Sequence, residues 1–233
     1  MTKAIFFDLD DTLYPYHDSN AKIQSEIEAI SYFCKKYPRH KFLEALALYN
    51  TVKKDIKKRF ACYPVRHNRE LWFLEFLQKE KIFDKKIVQE MEELYWQHVL
   101  KNAQLYYDAL LILPYLRKKY ALGIITNGLK AVQEKKVHAL GIASYFSVIA
   151  TSSEAGFGKP HTDVFKLALR KAKVKPKDAA MVGDSPLFDI FPANKLHMTT
   201  IWLRRGRRYY YPVIGKTKPT HTITNFLELK KWF

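Results

Sequence analysis

The chain predicts an α/β fold, a Rossmann-like, doubly wound parallel sheet with an all-helical segment inserted after its first strand. Three observations carry this. The apolar run Ala4-Ile5-Phe6-Phe7 stops abruptly at Asp8-Leu9-Asp10-Asp11, as a strand covered on both faces does where it leaves its sheet. From residue 105 onward, short apolar segments alternate with segments of helical periodicity, the pattern of parallel strands joined by crossover helices. Between these, residues 14–104 repeat their apolar residues at helical spacing, with no strand pattern. The expected division is a core of residues 1–13 and 105–233 and an all-helical domain of residues 14–104.

The elements follow in order. The first strand spans about residues 3–8. Ile23, Ile27, Ile30 and Cys34 form the first helical stripe, behind Ser19 or Asn20 as N-cap. Phe42, Leu46, Tyr49, Val52 and Ile56 form the second, Trp72, Phe73, Phe76 and Leu77 the third. A fourth runs through Ile87, Met91, Leu94, Tyr95, His98 and Val99. Tyr37-Pro38 and Tyr63-Pro64 are breakers, and the run Lys53 to Arg59 reads as the solvated face of a helix. A helix near 108–119 leads to the strand 121–126, and one near 129–140 to the strand 146–150. A helix near 162–172 leads to 179–182, and a short one near 187–196 to 199–203. The last pair is His221-Thr222-Ile223 and a helix near 225–231.

With 48% hydrophobic and 15% aromatic residues, the chain is too apolar for disorder. No segment approaches the ~20 apolar residues of a membrane span. Asp8, Asp10 and Asp11 lie where a secretory leader would be apolar, so a cytoplasmic protein with no membrane partner is expected. Cys34 and Cys62 have no metal-motif spacing and suggest no disulfide framework. The net charge of +17 is uneven: residues 195–233 hold nine Lys/Arg against the single Glu228. Such a balance favours anionic partners, small phosphate esters as well as nucleic acid.

Asp8 and Asp10 end a buried strand, where open α/β sheets bind ligands. Carboxylates placed there are costly unless a cation or a reaction uses them. One can be a nucleophile, the other a proton donor, and both can lie near a hard divalent cation. The plainer alternative is that Asp10 and Asp11 cap a turn. Thr126-Asn127-Gly128 offers a hydroxyl and N–H groups for phosphoryl oxygens, or an N-cap. Lys159, between Gly158 and Pro160, can neutralise crowded carboxylate and phosphate charge, although most lysines are simply solvated. Asp184 and Asp189 can supply a metal ligand and a group that orients its neighbours, or Asp184 can cap the next helix. Four such clusters at four strand ends make coincidence a poor account.

This ordered set resembles the haloacid dehalogenase superfamily across nearly the whole chain. Phe7 to Leu13 is similar to its first motif, Ile125-Thr126-Asn127-Gly128 to its second, Lys159 in Gly158-Lys159-Pro160 to its third, and Gly183-Asp184-Ser185 through Asp189 to its fourth. The resemblance implies a nucleophile at Asp8, an acid/base at Asp10, and Mg2+ held by Asp8, Asp184 and the backbone carbonyl of Asp10. Thr126, Asn127 and Lys159 would hold the phosphoryl group, with Lys159 neutralising its charge and Asp189 supporting the metal site. Asp10 favours phosphatase over dehalogenase, because a leaving halide needs no proton and an alkoxide does. The long gap between the first two motifs places a helical cap of about 90 residues at 14–104, with hinges near Leu13–Tyr16 and Asn102–Tyr107. One departure stands out: where the family has a glycine- and alanine-rich turn, this chain has Ile190-Phe191-Pro192-Ala193.

The resulting expectation is a magnesium-dependent phosphomonoester hydrolase acting through an aspartyl-phosphate, as monomer or homodimer, on a small phosphorylated metabolite or nucleotide. Tyr14-Pro15 after Thr12-Leu13 is similar to pyrimidine 5′-nucleotidases, and Trp72, Phe73 or Tyr95 can stack on a base, although helical spacing reads first as core. The alternative is a nucleic-acid-binding protein or nucleic-acid-end phosphatase using Arg204 to Tyr211, a run that otherwise reads as a solvated loop. A 2-haloacid dehalogenase is the minor alternative.

Overall fold

Ala4–Phe7 form the central strand β1, and each of the four is at most 1% exposed. Cover on both faces is what makes this strand an unbroken apolar run rather than an alternation. The computed structural model, which describes residues 2–17, 19–205 and 217–233, adds β2 (Ala121–Thr126), β3 (Val148–Thr151), β4 (Ala179–Gly183), β5 (Thr199–Leu203) and β6 (His221–Ile223). All pair in parallel, in the order β3-β2-β1-β4-β5-β6, the order of doubly wound folds. The winding reverses between β1 and β4, where Phe7 faces Val182 in register and Asp8 N donates to Val182 O at 3.0 Å. The crevice beyond that reversal collects the polar ends of both strands.

Between β1 and β2 run α1 (Asn20–Lys36), α2 (Phe42–Arg59), α3 (Arg69–Lys79), α4 (Lys85–Lys101) and α5 (Tyr107–Arg117). The helices α6 (Lys130–Ala139), α7 (Ser152–Ala155), α8 (Asp163–Ala172) and α9 (Phe191–Lys195) serve the later crossovers. α1 packs on α2 and α4, and α3 on α2 and α4. Their shared interior is aromatic: Tyr49 stacks on Phe73 with centroids 5.4 Å apart, and Phe33 meets Phe76 edge-on at 4.8 Å. Trp72, Phe73 and Tyr95 are thus core residues, at most 1% exposed. The described residues of 14–104 contain no strand. The chain leaves and rejoins the sheet side at one place, since Tyr106 N donates to Leu13 O at 3.0 Å.

Several sequence expectations change. α1 buries Ser25, Glu26, Ala29, Ile30 and Phe33, while Ile23 is 49% exposed. The helix is rolled so that Glu26 faces inward, where Lys53 Nζ lies 2.8 Å and Lys22 Nζ 3.3 Å away. The run Lys53 to Arg59 is therefore only partly solvated, with Lys53 and Lys57 half-buried. β3 starts at Val148, because Ala143–Tyr145 form a 3₁₀ turn that carries Phe146. Asp189 itself lies in a π-helical turn, Pro186–Ile190, that runs into α9. Pro192 sits in the first turn of α9, where a missing N–H removes no helical bond. The final helix is a 3₁₀ segment, Phe226–Lys231, boxed by Asn225 and Glu228.

Of the basic run from Arg204 to Tyr211, residues 206–211 lie outside the described residues. Arg205 pairs with Asp108 of α5 at 2.7 Å, and the same carboxylate accepts Phe226 N at 2.7 Å. Arg205 is thus a tie between α5 and the C-terminal segment. No described helix is long and apolar enough to cross a membrane.

Gly123 lies opposite Phe6 in register, and a Cβ there would come within 2.6 Å of the Phe6 ring. Phe6 is fully buried and cannot yield. Gly123→Ala should lower stability by about 1–3 kcal/mol, read as a lower urea midpoint at unchanged m-value.

Candidate active site

The segment after β1 turns sharply, with Asp11 in the left-handed region at φ 66°. Asp tolerates that region because its short polar side chain bonds locally. Here the Asp11 carboxylate accepts Tyr16 N at 2.8 Å and His17 N at 2.9 Å. Turn capping thus belongs to Asp11. Asp8 and Asp10 are left for other partners.

Asp8 and Asp189 share one ammonium. Lys159 Nζ lies 2.7 Å from Asp8 Oδ1 and 2.6 Å from Asp189 Oδ1, and Lys159 is 3% exposed. Its backbone N–H is anchored at 2.8 Å by Asn127 Oδ1, which packs so close to Gly158 that a Cβ there would sit 2.8 Å from it. The second oxygen of Asp189 accepts Ser185 N at 3.0 Å. A Cβ on Gly183 would overlap the Asp189 carboxylate. The glycine ending β4 thereby admits Asp189 beneath Lys159. Asp184 stands above them, its backbone N–H donating to Thr12 Oγ1 at 3.2 Å. The Thr12 hydroxyl has its own proton between Asp8 Oδ2 at 3.0 Å and Asp184 Oδ1 at 3.2 Å.

Three acids around one lysine leave a surplus of negative charge. Burial, opposed by Lys159 and aided by Asp189, lifts the Asp8 carboxyl to about 7. Burial and the charges of Asp189, Asp8 and Asp11 hold Asp184 well above the carboxylate range. Lys159 lies above an ordinary lysine; burial opposes its charge, but Asp189 and Asp8 outweigh burial. One oxygen each of Asp8, Asp184 and Asp189 lie within 4.8 Å of one another. Hard oxygen donors in this crowding suit a divalent cation of the magnesium or calcium kind. Asp189 serves Lys159 and Ser185 N, and Asp8 serves Lys159 and the Thr12 hydroxyl, whereas Asp184 meets no ammonium and accepts only from Thr12.

Asp10 looks the other way. Both its oxygens lie 2.8 Å from Lys136 Nζ, and Tyr14 OH donates to Oδ1 at 2.7 Å. Gln133 Nε2 donates to Thr126 Oγ1 at 2.5 Å and approaches Asp10 Oδ2 at 3.5 Å. Burial lowers Lys136 below the usual lysine range despite Asp10. Sequence reasoning missed Lys136 and Gln133. The available signal was that both fall, with Val137, on the buried face of α6, a polar pair where apolar residues belong.

All seven residues singled out from the sequence meet here: Asp8, Asp10, Thr126, Asn127, Lys159, Asp184 and Asp189 line one cavity of about 420 Å³. Its other wall comes from the helices before α5, through Lys22, Lys57, Arg69, Trp72 and Trp96. A carboxylate nucleophile, a second carboxylate and a buried cation facing one space can perform displacement at an anionic centre, with a proton source for the leaving group.

Comparisons with known proteins agree. A family model for haloacid dehalogenase-like hydrolases matches residues 2–197. The chain is 32% identical over 232 residues to a glyceraldehyde 3-phosphate phosphatase of Methanocaldococcus jannaschii, covering 98% of this chain and 96% of that protein. It is similar in structure to a 2-haloacid dehalogenase from Pseudomonas syringae (TM-score 0.79, 26% identity, 99% of this chain and 97% of the other). A phosphatase of the same superfamily from Thermococcus onnurineus matches with TM-score 0.74 at 26% identity, over the same shares.

Removing the shared ammonium leaves Asp8 and Asp189 buried without a counter-charge. Lys159→Met should therefore cost about 3–5 kcal/mol of stability, measured by urea unfolding in the presence of EDTA. A loss below 1 kcal/mol would mean that the acids are not held charged against Lys159.

Proposed function

This chain belongs to the haloacid dehalogenase-like hydrolase family and is a phosphatase within it, and from that premise we propose a magnesium-dependent reaction on a small phosphorylated metabolite with Asp8 as nucleophile. The observation that carries the reading is the pairing of Asp8 and Asp10 in one cavity with Thr126 and Lys159. Asp8 attacks phosphorus in line, so that a bond forms from its carboxylate oxygen and the bond to the substrate's ester oxygen breaks. Asp10 gives its proton to the departing alkoxide, then takes one from the water that hydrolyses the aspartyl-phosphate. Lys159 neutralises charge on the transferred group, and Thr126 and Asn127 offer it hydroxyl and amide donors. Asp189 acts through Lys159, which it orients.

Asp8, Asp184 and the backbone carbonyl of Asp10 would hold magnesium. When bound, the ion would offset charge on the phosphoryl oxygens. In the structure described, both Asp10 oxygens accept from Lys136 and one accepts from Tyr14. The acid step therefore needs the Asp10–Lys136 pair to loosen as substrate enters.

The reading assigns residues 14–104 as a cap over the cavity. Its contacts with the core support this: Gly158 N donates to Cys62 O at 2.8 Å, and the Tyr63 and Phe157 rings lie 5.3 Å apart. Similarity to a dehalogenase does not alter the choice of chemistry, because halide release has no use for the proton Asp10 would deliver.

Asp8→Asn should lower hydrolysis of p-nitrophenyl phosphate by at least ~10³-fold in folded protein. Activity near wild type would sink the covalent mechanism. EDTA should abolish wild-type activity and magnesium restore it better than calcium, while Asp184→Ala should raise the magnesium needed for half-activity. Full turnover after exhaustive chelation would count against the cation.

A further inference from the structure

Arg69 opens α3 and is 4% exposed, yet its side chain lines the cavity. Buried guanidinium groups are normally paired with a carboxylate. Among the described residues none lies within ion-pair distance of Arg69. One terminal nitrogen donates to His67 O at 2.9 Å and the other to Tyr16 OH at 2.8 Å. The Nε donor, buried, has no acceptor. The group is caged by aromatic faces, with its central carbon 3.8 Å from the Trp72 ring, 5.1 Å from Tyr95 and 5.4 Å from Trp96. Such faces soften a cation's desolvation but do not neutralise it.

The surroundings add positive charge. Lys57, also on the cavity wall, lies over the Trp72 ring at 5.2 Å and has no carboxylate partner among the described residues. Burial, with repulsion from Arg69, Lys22 and Lys53, presses its ammonium down to about 8. The acids on this side reach Arg69 only at longer range and are already engaged, Glu26 by Lys22 and Lys53 and Glu92 by the Trp96 N–H. His67 is held neutral, well below its ordinary value, by burial and then by Arg69, Arg66, His17 and Lys57. The wall facing the Asp8 end therefore carries two cations, Arg69 and Lys57, that no carboxylate among the described residues contacts.

We propose that Arg69, with Lys57 beside it, binds a second anionic group of the substrate, a carboxylate or a second phosphate, while the scissile phosphate occupies the Asp8 end of the same cavity. This deepens the phosphatase reading and rests on it. Phosphate esters of neutral alcohols would fill the catalytic end and leave Arg69 uncompensated. Those bearing a distal anion would satisfy both ends. Tyr16 separates the two, its hydroxyl on Arg69 and its ring 3.8 Å from Lys136 Nζ.

The test compares matched esters in saturating magnesium: 3-phosphoglycerate with glycerol 3-phosphate for the carboxylate, and fructose 1,6-bisphosphate with fructose 6-phosphate for the second phosphate. Wild-type kcat/KM should favour the doubly anionic member of at least one pair by roughly tenfold or more, in line with a charge-assisted hydrogen bond. Which pair responds identifies the anion. Arg69→Gln and Lys57→Gln, checked for folding by thermal melts, should each bring that ratio down towards one. Should Arg69→Gln not fold, the half-buried Lys57 carries the comparison. The same preference should appear in calorimetric binding to Asp8→Asn protein, without turnover. Ratios near one for both pairs, or a preference untouched in the folded variants, would overturn the proposal. If no ester, p-nitrophenyl phosphate included, releases phosphate while Asp8→Asn still binds the doubly anionic ligands better, the anion site stands and the phosphatase reading falls.

Discussion

A single buried ammonium sets the terms for the proposed catalytic centre. Lys159 accepts the company of Asp8 and Asp189 because neither acid nor base could otherwise remain charged away from water. To bring them together the chain uses small residues where backbones crowd, Gly158 against Asn127 and Gly183 against Asp189. Two acids on one lysine are already one charge short, Asp184 deepens the deficit, and that surplus of negative charge is what a bound cation would offset. Pre-arranged charge of this kind needs no reorganisation at the moment of reaction.

The second carboxylate belongs to another network. Asp10, Lys136, Tyr14 and Gln133 connect β1 to α6, and Tyr16 carries the connection on to Arg69 of α3. The two aspartates, separated only by Leu9 in the chain, thus answer to different surroundings. Asp8 is tuned by the sheet core, whereas Asp10 is held by a lysine that also touches the aromatic wall of the helical segment. Separate environments are how one short motif can supply two roles.

What the sequence revealed follows the same division. Asp8, Thr126 and Asp184 were legible because parallel strands buried on both faces read as apolar runs, and a polar residue at such a boundary stands out. Lys159, which lies past both β3 and α7, was legible only from its place between Gly158 and Pro160 and from the order of the motifs. Lys136 was not, since a lysine in a helix ordinarily reads as solvated, and only the fold brings Asp10 to it. Arg69 was hidden in the same way: its burial depends on Trp72 and Tyr95 enclosing it from two helices. The α1 stripe was misread because Glu26 turns inward towards lysines that no local pattern announces. Lys57 fell within a run of charge whose neighbours Lys54 and Lys58 are indeed exposed. Local periodicity marks which face is apolar and says little about polar residues that long-range partners draw inside.

The hydrogen bond between Tyr106 and Leu13 joins the two ends of the helical segment where they meet the sheet. In polymer terms the segment is a closed loop on a fixed base, and the cost of closing a loop rises by only about 0.6 kcal/mol for each doubling of its length. The sheet is therefore nearly indifferent to the size and content of what is threaded between those two residues. Helices can be lengthened, exchanged or rewritten there without disturbing the register of β1 with its neighbours. A scaffold closed in this way can keep one reaction while its choice of molecule drifts.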